Sequence, residues 1–192
     1  MRSFAILLAL FCGATDAFSP LLARRSIVKY DTSKPVPAPI VDKALEAAIM
    51  APCHFLSEPW RFYTAGPETK AKLCALNEEK KAMFEGVPEW LIVTMCSEHE
   101  EGSKLYYEDH AAVSCATQNF MLSLASEGVG SKWMTGALGA APEDVLAAVG
   151  ADAGKEKMMG AIWYGYPGKP LSADNKAPPR KLGLGSTLTK LP

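Results

Sequence analysis

The sequence lacks the spacings by which cysteine and histidine bind metal ions. Its five cysteines, at positions 12, 53, 74, 96 and 115, are at least 19 residues apart, and there are only three histidines. No Ser/His/Asp nucleophile signature occurs, and the glycines around Leu184 follow no strand, as a phosphate loop would require. We expect no metal site, no catalytic side-chain nucleophile and isolated, buried, reduced thiols. Loss of Cys12 with a leader would still leave four cysteines, which permits two disulfides.

The sequence also lacks an excess of either charge. Twenty Lys and Arg residues balance 21 Asp and Glu residues, which gives a net charge of −1. No net positive field exists to hold a phosphate backbone, so nucleic-acid binding is not expected. A chain of 192 residues with 48% hydrophobic residues is long enough for one domain with a substantial core.

The first residues differ from the rest of the chain. Arg2 precedes an uncharged apolar stretch over residues 5–14, which is too short to span a membrane, and small residues follow at 15–17. This pattern predicts a signal or targeting peptide over residues 1–17 and a mature domain over 18–192 without stable membrane insertion. An amphipathic first helix is the alternative. The Ala-Phe junction also resembles algal plastid presequences, so the leader indicates secretory-pathway entry or a plastid.

Hydrophobic periodicity predicts helices and strands that are mixed but irregularly spaced. This irregularity favours an α+β fold, with a sheet wrapped by helices, over regular βαβ repeats. We predict helices over residues 40–51, 67–81, 103–127 and 142–150, and strands over 60–65, 90–96, 132–135 and 158–164. The helix over 103–127 carries more apolar residues than one face of a small domain would bury, which indicates an interface with a second subunit.

Four short stations could bind a ligand. Arg24, Arg25 and Ser26, with Lys29 nearby, could surround a phosphate, because a guanidinium matches phosphate oxygens bidentately. His54 lies in a loop before an aromatic strand and could donate a proton or a hydrogen bond. The remaining stations are Glu-Gly-Val-Gly at 127–130 with Trp-Met-Thr-Gly at 133–136, and Gly-Tyr-Pro at 165–167.

Each station also has a plain structural interpretation. Arginine pairs are usually solvated, a histidine can cap a helix end, and glycines often form turns. Glu108 and Asp109 are neighbours that point to different faces of a helix, so we expect both to be solvated.

In this order, the four stations resemble the FMN-dependent nitroreductase family. The resemblance covers residues 16–182 and rests on four motifs: Arg-Arg-Ser, an Ala-Pro loop before Glu-Pro-Trp-Arg-Phe, a long helix ending in Glu-Gly-Val-Gly with Trp-Met-Thr-Gly behind it, and Gly-Tyr-Pro. It implies an α+β homodimer with a central mixed or antiparallel sheet and FMN sites at the subunit interface. Where the family often has a second basic residue, this chain has Val28, followed by Lys29.

The resemblance also implies roles for particular residues. It assigns the flavin phosphate and ribityl chain to Arg24, Arg25 and Ser26, and it places Arg180 or Lys181 near the phosphate. It puts Met50 and His54 along the flavin, with one set of residues supplied by the partner subunit. The segments expected to approach the flavin ring are Glu127-Gly128 and Trp133-Met134-Thr135.

The implied activity is hydride transfer from NADH or NADPH to a small acceptor, such as a nitroaromatic or a quinone, by a ping-pong mechanism. Flavin N5 carries that chemistry, so no catalytic side chain is required. Two alternatives stay open at this point. One is a different reaction on the same fold, such as reductive dehalogenation or a biosynthetic dehydrogenase step, and the other is a flavin-binding protein without enzymatic activity.

Overall fold

The structure of the chain is a computed structural model, which describes residues 20–136, 138–169 and 179–191. The predicted leader, residues 1–17, lies outside the described residues. Within the described ranges, no helix combines the length and the apolar character that crossing a membrane would need.

Four antiparallel strands form one sheet in the described part of the chain, in the order β1-β2-β4-β3. The two central strands are almost completely buried, as the unbroken apolar run of β2 predicted. The strands are β1 (Trp60–Thr64), β2 (Glu89–Cys96), β3 (Gly130–Met134) and β4 (Glu156–Gly165).

One irregularity in the sheet gives Gly160 a specific role. The register between β2 and β4 shifts at Val93/Thr94, opposite Gly160. Gly160 has φ +143°, and a Cβ there would lie 2.5 Å from Trp133 Nε1. The glycine therefore makes room for the indole ring, which donates a hydrogen bond of 3.1 Å to the Met159 carbonyl.

Proline and serine mark the starts of the main helices. Proline occupies the first turns of α2, α3 and α6, where its missing N–H costs nothing. Ser103 caps α5 by accepting a hydrogen bond of 3.2 Å from the Tyr106 N–H. The helices are α1 (Pro20–Ala23), α2 (Ala38–Ile49), α3 (Pro67–Ala75), α4 (Lys81–Glu85), α5 (Lys104–Ser126), α6 (Pro142–Val149) and α7 (Leu184–Thr187), and a 3₁₀ turn spans His54–Leu56.

The predicted helix over 67–81 is wrong in its second half. α3 ends at Ala75, and the separate short helix α4 begins at Lys81. Asn77 explains the break, because its side-chain oxygen accepts the Lys80 N–H at 3.1 Å and its amide donates to the Leu138 carbonyl at 2.9 Å. Such local side-chain bonds offer the backbone an alternative to the helix.

Helices cover both faces of the sheet, which gives two hydrophobic cores. On one face, α2 and α5 pack against Leu91 and Val93 of β2. On the other face, residues of α3, α4 and α6 pack against Trp90 and Ile92. The alternation of these β2 side chains between the two cores follows from the two-residue period of a strand. The α+β prediction is thereby confirmed.

The apolar stripe of α5 is buried within the single chain. Nine residues of this helix are buried, and Val113 and Phe120 are each 0% exposed. The prediction that these residues exceed what one chain can bury is therefore wrong, because α2 and the sheet cover them from two sides. Polar substitutions at Val113 or Phe120 would disrupt the core and would not test a subunit interface.

Candidate functional site

The Arg-Arg-Ser segment is fastened to the sheet by backbone hydrogen bonds. The Ile27 N–H donates to the Ser131 carbonyl at 3.1 Å, and the Gly168 N–H donates to the Lys29 carbonyl at 3.0 Å. Gly130 permits this close approach, because a Cβ there would lie 2.7 Å from Ile27 Cγ1. The segment is therefore held between β3 and the turn that follows β4.

These contacts create a cavity of about 450 Å³ with a cationic wall. Its polar side chains come from Arg25, Ser26, Lys29 and Lys169, and Gly168 exposes backbone between them. We call this cavity, together with Arg24 and Arg180, the basic cradle.

Arg24 and Arg180 are close enough for their charges to interact. Burial, and secondly the positive charge of Arg180, lower the pKa of Arg24. Two guanidinium groups in this relation repel each other, and a shared anion relieves that repulsion. Of the residues that the resemblance assigns to phosphate, Arg24 thus interacts with Arg180, and Arg25 and Ser26 line the adjoining cavity.

A second cavity, of about 480 Å³, adjoins the basic cradle and shares Pro167 and Gly168 with it. Its lining includes Glu127 and Gly128 at the end of α5. The Glu127 and Gly128 N–H groups donate to the Leu124 and Ala125 carbonyls and close the helix, and the Glu127 carboxylate pairs with Lys43 at 2.6 Å. Both residues therefore border a cavity while their N–H groups serve the helix cap.

The segment Trp133-Met134-Thr135, which the resemblance places near the flavin ring, contains three residues with different environments. The Trp133 side chain is half-buried against the core. Met134 is 4% exposed and belongs to the second core. Thr135 is exposed just after β3 ends. Of the three side chains, only that of Thr135 is open to solvent over most of its surface, so this segment can meet a ligand chiefly through Thr135 and backbone.

His54 lies near the start of α5, at the end of that helix opposite Glu127. Met50 ends α2 and is exposed, and His54 begins the 3₁₀ turn. His54 Nδ1 lies 3.0 Å from Glu108 Oε2, and Lys104 Nζ lies 3.5 Å from Glu108 Oε1. A cavity of about 350 Å³, which we call the histidine cavity, is lined by Pro52, Cys53, His54, Glu108, Ala111, Ala112 and Cys115.

The loop that carries His54 has a strained backbone. Phe55, Leu56 and Glu58 have φ of +48°, +55° and +43°, a backbone conformation that residues other than glycine rarely adopt. Phe55 is also 93% exposed, so its own burial does not compensate the strain. The loop conformation must be held by contacts from elsewhere in the chain.

Asp109 supplies those contacts. Its carboxylate is 3% exposed and accepts hydrogen bonds from Ser57 Oγ at 2.8 Å and Ser97 Oγ at 2.7 Å. The prediction that Glu108 and Asp109 are both solvated is wrong, because the loop after α2 and the end of β2 cover them. The sequence signal for this burial is a pair of adjacent carboxylates in a chain with serines in two nearby loops. The periodicity of one helix, however, does not show which residues of other segments contact its carboxylates.

The cysteines carry no disulfide in the described part of the chain. Cys53, Cys74, Cys96 and Cys115 are free, as expected. Only Cys74 is fully buried, so the prediction of four buried thiols is wrong for the other three. No group of three or more potential ligand side chains for a metal ion occurs among residues 20–136, 138–169 and 179–191.

The basic cradle and His54 therefore lie at opposite ends of α5. Glu108, beside His54, and Glu127, beside the basic cradle, lie roughly 28 Å apart along the helix at 1.5 Å per residue. The cavities at the two ends have no lining residue in common. In one chain, the cationic half and the histidine half are separate.

Comparison with known proteins places this geometry in a family. The profile of the Nitroreductase family matches residues 21–80 and 68–166. A Bacillus subtilis protein provisionally named the NAD(P)H nitroreductase YfhC is 31% identical over 175 residues, which cover 82% of this chain and 88% of that protein.

Solved structures agree with this match. A Desulfovibrio desulfuricans protein, provisionally titled a nitroreductase and solved in complex with FMN, superposes with a TM-score of 0.71 at 26% identity, covering 88% of this chain and 93% of that one. A nitroreductase-like family protein from Bacillus cereus superposes over 100% of this chain and 98% of its own, with a TM-score of 0.74 at 20% identity. The fold is nitroreductase-like, and the chain belongs to the nitroreductase family.

Proposed function

We propose that the protein is an FMN-dependent oxidoreductase that transfers a hydride from NADH or NADPH to a small acceptor of the nitroaromatic or quinone class. The observation that carries the proposal is the basic cradle, a cationic cavity beside a sheet edge in a chain of this family. The FMN complex of the Desulfovibrio desulfuricans relative supports the choice of cofactor.

The residues of the cradle fit a flavin phosphate. Arg24 and Arg180 form a like-charged pair that a dianionic phosphate would neutralise, and Arg25 and Ser26 line the adjoining cavity. The exposed Gly168 lines both the cradle and the neighbouring cavity at Gly128, which offers a path for a polar ribityl chain. Val28, where the family often has a basic residue, lines the cradle beside Lys29.

The separation along α5 supports a site that two chains share. A flavin that contacts the cradle and also His54 cannot obtain both contacts from one chain, because Glu127 and Glu108, which border them, lie roughly 28 Å apart along α5. A homodimer would bring the histidine cavity of one subunit to the cradle of the other. The exposed Met50, Phe55 and Leu56 provide apolar surface for such a contact.

The protein's own part in the reaction is binding and orientation. When bound, the flavin supplies hydride transfer through its N5 atom. The cradle holds the phosphate and so fixes the position of the ring. Pro52 and Ala111 offer apolar surface to the acceptor, and His54 presents the single imidazole of that cavity. NAD(P)H and the acceptor use the same place in turn, which gives a ping-pong scheme.

A direct test uses the visible spectrum of the purified chain. After reconstitution with FMN and removal of free flavin, we expect a stoichiometric flavin spectrum. Anaerobic NADH or NADPH should bleach it, and a quinone or nitroaromatic should restore it. A colourless protein after reconstitution would refute flavin binding. A bound flavin that neither nicotinamide reduces would instead favour a flavin-binding protein without this activity.

A further inference from the structure

We infer that Glu108 is a positioning residue that holds the His54 ring with its proton on Nδ1, so that Nε2 delivers a proton to the electron acceptor. The inference rests on the proposed function, because it concerns the acceptor that the reduced cofactor would meet. It adds an acid to a site for which flavin chemistry alone requires no catalytic side chain.

The first observation is the state of the Glu108 carboxylate. Its Oε2 atom is buried and has no aligned hydrogen-bond donor in the described part of the chain, although His54 Nδ1 lies only 3.0 Å away. A buried acceptor without a donor is unfavourable. A proton on His54 Nδ1, with a small rotation of the ring, satisfies this oxygen.

The second observation is that both partners are fixed in position. His54 starts a loop with three residues at positive φ, and the buried Asp109, next to Glu108 on α5, accepts hydrogen bonds from Ser57 and Ser97. One carboxylate thus anchors the loop and the next faces the imidazole. A hydrogen bond at one ring nitrogen decides the protonation of the other.

The third observation is the cavity onto which the ring opens. Pro52, Ala111 and Ala112 give it an apolar wall of a kind suited to a flat organic acceptor. The titratable groups facing the ring are Glu108 and Lys104 from α5, Cys53 from the loop and Cys115 from α5. Among these groups, an imidazole is the acid that exchanges its proton near neutral pH.

The proton and electron balance of the step is simple. The acceptor takes a hydride, with its electron pair, from the reduced flavin and a proton from His54 Nε2. A quinone then becomes a hydroquinone, and a nitro group becomes a nitroso group and water. The imidazole is left neutral with its remaining proton on Nδ1, facing Glu108, and a proton from water restores the imidazolium.

The decisive readout is the tautomer of His54, which needs no bound flavin. The chain has three histidines, so replacing His99 and His110 by Asn leaves the His54 ring as the single imidazole signal. In ¹⁵N NMR of this 192-residue chain, we expect neutral His54 to carry its proton on Nδ1. Glu108→Gln should shift the ring towards a mixture of tautomers. A proton on Nε2 in the parent, or no change in Glu108→Gln, would overturn the inference.

Half-reaction kinetics provide the second readout. In the FMN-loaded protein, Glu108→Gln and His54→Gln should slow reoxidation of the flavin far more than its reduction by NAD(P)H, because reduction needs no proton from the ring. They should slow reoxidation by a quinone about a hundredfold, the lower range for general acid catalysis, and flatten its pH profile. The matched control is Glu143→Gln, an exposed glutamate on α6 that should change neither rate. Equal slowing of both half-reactions would contradict the positioning role.

The two readouts separate failure of this inference from failure of the proposed function. If the chain binds no FMN, or if nicotinamide does not reduce it, the proposed function fails whatever the tautomer. If flavin reduction is normal but the acceptor reoxidises the flavin no faster in the parent than in His54→Gln, the proposed function stands and the role of the Glu108–His54 pair is rejected.

Discussion

The basic cradle and the histidine cavity lie at opposite ends of one helix and are held together differently. Backbone hydrogen bonds between distant segments fix the cradle, and charged side chains line it. Side-chain contacts fix the histidine cavity: two serine hydroxyls on Asp109, and His54 beside Glu108. The position of the cradle therefore depends on backbone contacts that side-chain substitutions do not remove. The histidine cavity depends on a few side-chain contacts, which single substitutions can remove. Substitutions in one region should therefore leave the structure of the other region unchanged.

Mixing two defective variants should give the largest effect, because it asks whether the halves of one site come from different chains. Arg25→Glu disables the cradle, and His54→Glu places a carboxylate in the histidine cavity. We expect neither variant alone to bind FMN at micromolar concentration. After unfolding and refolding together, statistical pairing of a homodimer should restore about a quarter of the sites. Flavin content after gel filtration measures this.

The control for the mixing experiment is a pair of variants that both disable the basic cradle. Arg25→Glu mixed with Arg24→Glu should restore no binding, since no dimer of these chains has an intact cradle. Recovery in that control would show that the regained binding needs no intact cradle. Failure of the first mixture, although both variants fold by circular dichroism, would contradict a site shared by two chains.

The next effect in size is the phosphate selectivity of the cradle. Arg25→Ala should raise the Kd for FMN about ten- to a hundredfold, because a hydrogen bond to a charged group contributes about 1.5–3 kcal/mol. Riboflavin lacks the phosphate, so its Kd should change little. Fluorescence quenching of each flavin measures both values. Lys72→Ala, an exposed cation on α3, serves as the matched control and should change neither Kd. If both flavins lost affinity equally, Arg25 would not be a contact of the phosphate.

Asp109→Ala should affect the histidine cavity without affecting the cradle. It leaves the Ser57 and Ser97 hydroxyls without their acceptor, which should lower the free energy of unfolding by about 2 kcal/mol. Urea denaturation measures the loss, and hydrogen exchange should speed up over residues 53–58. Asp42→Ala, on the exposed side of α2, should be neutral. Unchanged exchange in the loop would mean that something other than Asp109 holds it.

The smallest effect concerns the strain at Phe55. Phe55→Gly should stabilise the chain by less than about 1 kcal/mol, since relief of the left-handed strain exceeds the entropy cost of glycine only slightly. Phe55→Ala removes the same exposed ring and keeps the strain, so the difference between the two variants measures the strain itself. Thermal unfolding of both is sufficient. If alanine is the more stable variant, the loop is not strained at this position.

Sequence patterns predicted the parts of this molecule that depend on neighbours along the chain. The unbroken run of β2, the proline starts of α3 and α6, and the glycine stop after α6 all follow from local rules. The order of the four stations was enough to indicate the family. These features need no knowledge of what packs against them.

The parts that could not be predicted depend on contacts between distant segments. Asn77 ends α3 because Leu138 lies beside it, and Asp109 is buried because Ser57 and Ser97 approach it. The stripe of α5 seemed too wide for one chain because the sequence does not show that α2 and the sheet both cover it. Helical periodicity identifies the apolar face of one helix, but it does not show how many other elements pack against that face.

The continuity of α5 limits how the chain can change in length. Each added residue in an α-helix rotates everything beyond it by about 100° and advances it by 1.5 Å. A single insertion between Val113 and Phe120 would therefore turn Glu108 and Asp109 away from the loop while Glu127 stayed beside the cradle. Substitutions on the outer face of α5 leave this phase unchanged. Insertions before Ser103 lie outside the helix, so the surface loop that precedes it can absorb extra residues.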